Sequence, residues 1–561
     1  MLKIVKNRLF WIILVIIFSI PAVWNLLRPG FFPMQDDLQA FRVQQMDKCI
    51  QDAQIPCRWV PDAGYGYGYP QFNYYPPLPY YIGALMHRVG IQYIDTVKIL
   101  FIFGYVASAV SIFILIEALI GSWPAFVSSI LYTYIPYKAV EVYVRGALSE
   151  FWALTFFPLI LWAIYKLITS GSKKYFILFS IYLGLLFTTH NLMTLIFAPV
   201  AIIWAIYWLY AEKKMNKMFM KVGLSGLLGV GLAAFFTLPV IFEKQFVHVE
   251  SMLSGYFDYR AHFVNLYKIF LSREWGYGSS GFPNELLNLS TGLIQWIVGI
   301  IALFYGIKYL KKDRKSSLLV IVLSAIELIT LFMIHMKSSF IWAQIPALWY
   351  LQFPWRFLAV SIFLLSTLGA YAVYFSGKFK YVFGTILVIS AIFVNIGFFV
   401  PKDWLYITDS DKFSGISWQK QMTISIFDYL PIYATLPPIN EAPKVPEIMD
   451  GKAEIIDYKK GSDFQMGSIK VLEDANIRLP LFDFPGMKVW LNGKEITHYN
   501  NDCRGTDFCY GLISFAVPKG EHKIEVKLTD TPIRRIGNII SILSIIVLLA
   551  LIFIKYDTKT K

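Results

Sequence analysis

Charged residues are scarce in this sequence. Asp, Glu, Lys and Arg together make up 16% of its 561 residues, whereas soluble globular proteins carry about 25%. Hydrophobic residues reach 57% and aromatic residues 17%. This composition argues against an ordinary soluble protein. It suits a chain surrounded by lipid, with aromatic side chains at the membrane interfaces.

Nucleotide- and zinc-binding motifs are also lacking. The sequence contains no Walker P-loop and no H-E-x-x-H, and its seven His residues are scattered. The run Gly276-Tyr277-Gly278-Ser279-Ser280-Gly281 matches G-x-G-x-x-G literally, but no βαβ unit surrounds it, so we do not interpret it as a dinucleotide site. The sequence therefore shows no motif for binding a nucleotide-activated substrate. If the protein is an enzyme, we expect its activated substrate to be supplied within the membrane.

Long hydrophobic runs occur twelve times. A helix needs about 20 apolar residues to cross the hydrocarbon core. The first run has no small-residue cleavage site, so we expect a retained anchor rather than a signal peptide. The twelve runs lie near residues 9–27, 97–119, 123–140, 150–168, 175–190, 192–210, 221–241, 287–307, 317–335, 356–376, 381–399 and 536–554.

Basic residues give these predicted spans a direction. Lys and Arg concentrate in short cytoplasmic loops of membrane proteins, and placing both termini in the cytoplasm puts the basic loops there too. Much of the net charge of +14 is then explained without a nucleic-acid partner. Three long segments face outward: 29–96, 242–286 and 400–533. We therefore predict a transmembrane domain over 1–399, an extracytoplasmic domain over 400–533, and a final helix with a cytoplasmic tail over 534–561.

The four cysteines all fall in these outer segments. Cys49 and Cys57 lie near the N-terminus, and Cys503 and Cys509 lie near the C-terminus. Four cysteines allow three pairings, of which the two local pairs are the simplest. Disulfides form in oxidising compartments, so redox reasoning agrees with the predicted topology. Four free thiols are the alternative.

The segment 400–533 has the pattern of β-structure. Asn492-Gly493 separates two short apolar runs, which is a strong hairpin signal. Residues 523–528 alternate between charged and apolar side chains with the period of a strand. We predict a small antiparallel β-sandwich between the last two transmembrane helices.

Ionisable residues cluster at the predicted outer ends of the spans. Such residues are costly near the membrane and often mark function. A polar site at the outer face is the economical interpretation, and interfacial anchoring is the alternative. Asp36-Asp37 is the sharpest feature, either as a general base or as two acids favoured by a helix dipole. The others in this set include Arg145, Glu150, His190, Glu243 and Arg356.

Tyrosine and glycine alternate in the first outer segment. The run contains Tyr65, Tyr67 and Tyr69, and Gly and Pro exclude a long regular helix there. The rings could form an aromatic belt at the membrane interface. They could also form an amphipathic wall for a sugar or a lipid.

Several short motifs, in order, resemble a known family. They are Met34-Gln35-Asp36-Asp37, residues 143–151 (YVRGALSEF), Thr189-His190-Asn191-Leu192 and residues 352–358 (QFPWRFL). Together they resemble a bacterial branch of multi-pass membrane proteins with a "6-pyruvoyl-tetrahydropterin synthase-related" domain. The acidic pair after the first span, the many spans and the outer C-terminal domain also resemble the glycosyltransferase-C superfamily.

The glycosyltransferase-C resemblance implies a membrane glycosyltransferase that moves a sugar from a polyprenyl-phosphate carrier to a cell-surface glycan, lipid or protein. Asp36 or Asp37 would deprotonate the acceptor in an inverting transfer, and Arg145, His190 or Arg356 would stabilise the leaving phosphate, with Glu150 orienting one of them. Some superfamily members use a divalent cation such as Mg²⁺ or Mn²⁺, for which this sequence shows no full ligand set. A lipid-linked glycan transporter or a non-catalytic assembly protein are the alternatives.

The predicted topology can be tested with thiol reagents. A membrane-impermeant reagent applied from the cytoplasmic side, after reduction, should label none of the four cysteines because all lie in outer segments. The same reagent applied from the outside should reach those that are exposed. Efficient labelling from the cytoplasmic side would contradict the predicted orientation.

Overall fold

The computed structural model describes residues 7–281, 285–503 and 509–553. Helices make up most of the chain up to residue 400, and an antiparallel sheet follows before the last helix. The helix 358–375 is buried along almost its whole length. The last helix instead exposes large apolar side chains such as Ile542 and Ile546. Lipid is the natural cover for such an apolar surface.

Eight helices in the described ranges are long and apolar enough to cross a membrane, and a bent pair could form a ninth span. The pair is Met215–Leu232 and Ala234–Phe242, with a bend of 75°. The predicted total of twelve is not confirmed. The eight helices are Arg8–Leu27, Tyr93–Ile120, Leu148–Ser170, Asn191–Ala211, Arg314–Ile334, Pro354–Phe375, Gly377–Phe398 and Pro532–Phe553.

Three predicted spans fall on shorter helices, of 12, 17 and 16 residues. A 12-residue helix is about 18 Å long, well short of a core of about 30 Å. His190 has extended backbone and separates two neighbouring helices. The remaining helices are Gln39–Gln51, Gln71–Tyr74, Leu78–Arg88, Ser122–Thr133, Pro136–Ala139, Lys173–Thr189, Leu266–Phe270, Leu293–Lys308, Ser339–Gln344, Pro346–Trp349, Asp409–Lys412 and Gly415–Thr423, with a π-helical turn at Val140–Arg145.

Six strands between residues 447 and 528, which we call the sheet domain, form one hydrogen-bonded antiparallel sheet. Strands β5 and β6 follow one another along β2, and the other strands pair in the order β1-β2-β6-β3-β4. The predicted sandwich of two sheets is not confirmed. The strands are β1 (Glu447–Lys460), β2 (Phe464–Phe482), β3 (Met487–Leu491), β4 (Lys494–Ile496), β5 (Leu512–Val517) and β6 (Gly520–Leu528).

Two local predictions are confirmed. Leu491 pairs with Lys494 across the hairpin, and Asn492 and Gly493 both have positive φ angles, 52° and 79°. Both central residues of a type I′ turn require such angles. The cysteines also form the two predicted local disulfides, Cys49–Cys57 and Cys503–Cys509.

A buried ion pair joins four parts of the chain. Glu243, at the end of the bent helix pair, lies 2.9 Å from Nε of Arg534 in the last helix. The side-chain exposures of these two residues are 1% and 0%. Asn73 donates to the same carboxylate oxygen at 3.1 Å, and Arg534 donates to the Pro485 carbonyl at 2.9 Å. The pair therefore fastens the last helix to the bundle, the first long loop and the sheet domain.

Removing one partner of this pair should destabilise the protein strongly. Glu243→Ala leaves the guanidinium of Arg534 buried without its counter-charge, and such changes typically cost about 3–5 kcal/mol. Arg535→Ala is the matched control because its side chain is exposed at the next position. Thermal unfolding in detergent should show a large loss for Glu243→Ala and none for the control. Equal losses of stability in the two variants would show that the ion pair does not hold these parts of the chain together.

Candidate active site

A cavity of about 1420 Å³ lies between the helices and the segment preceding the sheet domain. Six of the residues predicted from the sequence line it together, although they come from four separate stretches of the chain. These residues are Asp36, Asp37, Arg145, Glu150, His190 and Arg356. Pockets for a single drug-sized ligand usually hold about 300–1000 Å³, so this cavity has room for more than one small substrate.

The acid loop, residues 33–38, is docked on the end of the π-helical turn. The amides of Gln35 and Asp36 donate to the carbonyls of Val144 and Arg145, both at 2.9 Å. Gln39 donates to the Asp36 carboxylate and to the Gly146 carbonyl, both at 2.8 Å. These bonds place the acidic pair beside Arg145.

Gly146 makes this docking possible. Its φ of +65° is in the left-handed region, and a Cβ added there would lie 2.2 Å from Met34 Sδ. A residue with a side chain would therefore be strained and would push the acid loop away. The motifs 34–37 and 143–151 fit together at this glycine.

Each aspartate has its own cation. Asp36 Oδ2 lies 2.7 Å from Arg42 Nη1, and Asp37 Oδ2 lies 2.6 Å from Lys412 Nζ. Burial raises the pKa of Asp37 despite the presence of Lys412. Arg42 also lies over the ring of Tyr75, 4.1 Å from its centroid. Sequence reasoning missed Arg42 and Lys412, and no motif marks either of them.

Glu150 organises the two predicted arginines. Its Oε2 accepts from Arg145 at 3.0 Å and from Arg356 at 3.2 Å, and its Oε1 accepts from the Tyr137 hydroxyl at 2.9 Å. Arg145 also pairs with Glu141 and lies 4.6 Å from the Trp355 ring centroid. The cluster thus contains two carboxylates, of Glu141 and Glu150, and two guanidinium groups, of Arg145 and Arg356, so its formal charges cancel.

His190 and Lys244 complete the polar lining. His190 Nδ1 accepts from the amide of Met193 at 3.1 Å, so a neutral imidazole carries its proton on Nε2. Lys244 lines the cavity near Tyr350, whose hydroxyl lies 3.2 Å from Nζ. Within the described ranges no carboxylate lies at ion-pair distance from Lys244. Lys244 follows Glu243 in the sequence, but the carboxylate of Glu243 pairs with Arg534.

Apolar side chains from two helices also line the cavity. The helix 191–211 contributes Leu192, Leu195 and Ala198, and the helix 234–242 contributes Phe236, Val240 and Ile241. Leu195 and Ile241 are 40% and 58% exposed. These two helices therefore leave large apolar side chains uncovered at the cavity.

The three tyrosines predicted to bind substrate do not line the cavity. Tyr65 and Tyr67 make backbone hydrogen bonds with Met422 and Phe482, and the Tyr69 hydroxyl donates to the Ser425 carbonyl at 2.6 Å. The Tyr67 ring packs 5.5 Å from that of Phe482. The structure thus places these residues where the first long loop contacts the sheet domain. A Cβ added at Gly64 would lie 2.8 Å from the Phe482 ring, and one added at Gly68 would lie 2.2 Å from the Trp59 ring, so these glycines leave room for both rings.

Asp428 is a lining residue that sequence reasoning missed. It lies in residues 424–430, which have no recognisable motif, and it comes next to Asp36 and Arg42 only in the folded chain. Burial raises its pKa to about 6, although Arg42 favours the ionised form. A half-buried carboxylate with a raised pKa in a cavity is often functional.

The donor set does not fit a divalent cation. Both aspartates of the acid loop already pair with basic side chains, which would repel a cation. No group of three or more His, Cys, Asp or Glu residues within 7–281, 285–503 and 509–553 is arranged to hold a metal ion.

The docking of the acid loop can be tested at Gly146. Gly146→Ala should reduce stability by more than the strain of about 1–2 kcal/mol expected for a left-handed residue, because the new Cβ also meets Met34. Gly171→Ala is the control, since Gly171 has a φ of +68° and nothing within 4 Å of an added Cβ. Thermal unfolding should separate the two, and Met34→Ala should partly rescue only Gly146→Ala. Equal losses would contradict the docking.

Comparison with known proteins gives one family match and several distant similarities. The family described as "6-pyruvoyl-tetrahydropterin synthase related domain; membrane protein" matches residues 72–400. An uncharacterised protein of Lactococcus lactis is 22% identical over 370 residues, which are 62% of this chain and 55% of that protein. The chain thus spans about half the length of this curated relative.

Two solved structures show partial overlap. One is the arabinofuranosyltransferase AftD from Mycobacteria, with a TM-score of 0.45 and 12% identity over 71% of this chain and 28% of that one. The other is the Archaeoglobus fulgidus oligosaccharyltransferase in its apo form, with a TM-score of 0.40 and 13% identity over 70% of this chain and 55% of that one.

Proposed function

The chain belongs to the family of membrane proteins with a 6-pyruvoyl-tetrahydropterin synthase related domain, and from this premise we propose that it is a membrane glycosyltransferase. The pterin part of the family name finds no support in the site, because soluble pterin synthases hold a metal on histidines. Within the described part of the chain no such group is present.

The two-sided cavity carries this proposal. Its polar lining includes two aspartates beside several cations, and its apolar lining includes side chains of helices 191–211 and 234–242 that are partly exposed. A sugar linked to a polyprenyl phosphate has the same division, since its lipid chain is apolar and its phosphate and sugar are polar. We propose such a donor, with the lipid against helices 191–211 and 234–242.

The proposed reaction uses an aspartate as the base. Asp37 takes the proton of an acceptor hydroxyl, and the oxygen attacks the anomeric carbon of the donor sugar. The bond from that carbon to the phosphate oxygen breaks, and the configuration inverts. The raised pKa of Asp37 suits a base better than a strongly acidic carboxylate would. Asp36 is the alternative base, and it is held by Arg42.

Cations in the cavity would stabilise the leaving polyprenyl phosphate. Lys244 is suited to this because no described carboxylate pairs with it, and Arg356 lies on the same lining. Charge that develops in the transition state is stabilised best by groups already held in place. Glu150 holds Arg356 and Arg145 in this way, through the two hydrogen bonds to Oε2.

Turnover by the purified protein tests the function. With a panel of labelled polyprenyl-phosphate sugars, wild type should transfer a sugar, and Asp37→Asn should lose about 100- to 10,000-fold in rate. Asp62→Asn is the matched control, because Asp62 is an ion-paired aspartate of the same long loop that does not line the cavity. No turnover across a broad panel would count against the transferase.

The pH dependence gives a second test of the base. Ionised Asp37 is the active form, so the rate should fall as the pH drops through the raised pKa of this residue. An Asp36→Asn variant that keeps the same limb, while Asp37→Asn loses it, would assign the base to Asp37. The opposite pattern would assign it to Asp36. If both variants keep full activity and the acidic limb of the pH profile, the acidic pair has no role in catalysis.

A further inference from the structure

Residues 424–430, which we call the strap, separate the cavity from the sheet domain. Ile426 and Leu430 are buried in the apolar core that includes the strands. Phe427 and Asp428 between them line the cavity on the other side. The strap therefore contributes side chains to the cavity from a segment that is anchored in the core of the sheet domain.

The strap is held firmly in this position. The Tyr69 hydroxyl accepts from the amide of Tyr429 at 2.5 Å and donates to the carbonyl of Ser425 at 2.6 Å. The rings of Tyr429 and Tyr74 stack with centroids 5.4 Å apart. A third bond joins Ser251 Oγ to the Phe427 carbonyl at 2.7 Å. A rigid support of this kind is what a binding site needs.

Asp428 is a carboxylate without a partner cation. No basic group in the described ranges lies at ion-pair distance from it, and the nearby Ser425 side chain favours its ionised form and so lowers its pKa. The other charged or titratable groups that face it are Arg42, Asp36, Tyr69 and Tyr429. Half-buried carboxylates normally find donors, so this one is suited to a donor on a ligand.

Phe427 provides an apolar surface next to that carboxylate. Its side chain lines the cavity and is 57% exposed, although a large apolar side chain gains by burial. A sugar ring has an apolar face of C–H groups and an edge of hydroxyl groups. An exposed aromatic ring beside an unpaired carboxylate matches both features.

We propose that Phe427 and Asp428 form the subsite that binds the acceptor, and that the acceptor is a saccharide. Asp428 accepts hydrogen bonds from its hydroxyl groups, and Phe427 packs against the face of its ring. This assignment rests on the proposed transferase function. It places the acceptor on the sheet side of the cavity and the lipid-linked donor on the helix side, with the acidic pair between them.

Saccharide binding tests the subsite without requiring turnover. The probes are neutral di- to tetrasaccharides, and affinity is measured on the full-length protein in nanodiscs. Asp428→Asn should weaken binding about 10- to 100-fold, as expected when a hydrogen bond to a charged group is lost. Phe427→Ala should also weaken saccharide binding, whereas Phe427→Trp keeps an aromatic ring and should retain it. Asp403→Asn, an exposed aspartate outside the cavity lining, is the control and should bind like wild type.

The pH dependence of stability checks that the carboxylate is unpaired. The pKa of Asp428 in the folded protein is raised above its usual value near 4, so wild type loses stability as the pH rises through about 6. Asp428→Asn lacks this loss and should melt at a higher temperature than wild type at pH 8, and the difference should shrink as the pH falls from about 6 to about 4. A lower melting temperature at pH 8 would reveal a stabilising partner and overturn the proposal.

The outcomes separate this proposal from the transferase. Saccharide binding that depends on Asp428, without transfer from any donor, would support the subsite and count against the enzyme. Transfer with an acceptor KM unchanged in both strap variants would support the enzyme and overturn the subsite. Wild type that binds none of the saccharides would also overturn the assignment of a saccharide acceptor.

Discussion

The buried charge of Glu243 is the constraint on which the arrangement of the chain depends. A carboxylate removed from water must be neutralised and hydrogen-bonded, and the groups that satisfy this one come from distant parts of the sequence. Arg534 comes from the last helix, Asn73 from the first long loop and Thr531 from the link after the sheet. Once these groups converge, the sheet domain is held against the helices and the strap lies beside the cavity.

The cavity is lined partly by charged side chains and partly by apolar ones. Helices 191–211 and 234–242 contribute apolar lining residues, whereas the acid loop and the segments around Arg145, Glu150 and Arg356 contribute paired charges. Most of those charges are already balanced, since Asp36, Asp37 and Glu150 each have a basic partner. Lys244 and Asp428 are the exceptions among the described lining residues. They have opposite signs, which suits a site that binds an anionic group of one substrate and hydroxyl groups of another.

Much of the candidate site could be predicted from the sequence, because ionisable residues stand out against an apolar background. Asp36, Asp37, Arg145, Glu150, His190 and Arg356 were chosen for that reason, and all six line the same cavity. Tyr65, Tyr67 and Tyr69 were chosen for a composition that serves equally well in packing, and the structure places them against the sheet domain and the strap. Asp428 and Lys412 could not be chosen, because a single charge in a loop is unremarkable until the fold supplies its neighbours.

Sequence reasoning alone predicted a helical membrane protein, the Asn492-Gly493 hairpin and, as the simplest of three pairings, the local disulfides. These depend on composition and on residues close together in the chain, so local physical rules suffice. The tertiary structure decided how the apolar runs divide into helices, since the 75° bend interrupts the run 221–241 that hydropathy alone reads as continuous. It also decided which charges meet. Burial and long-range contact set the pKa of Asp428 and the partner of Glu243, and neither is written in any short stretch of sequence.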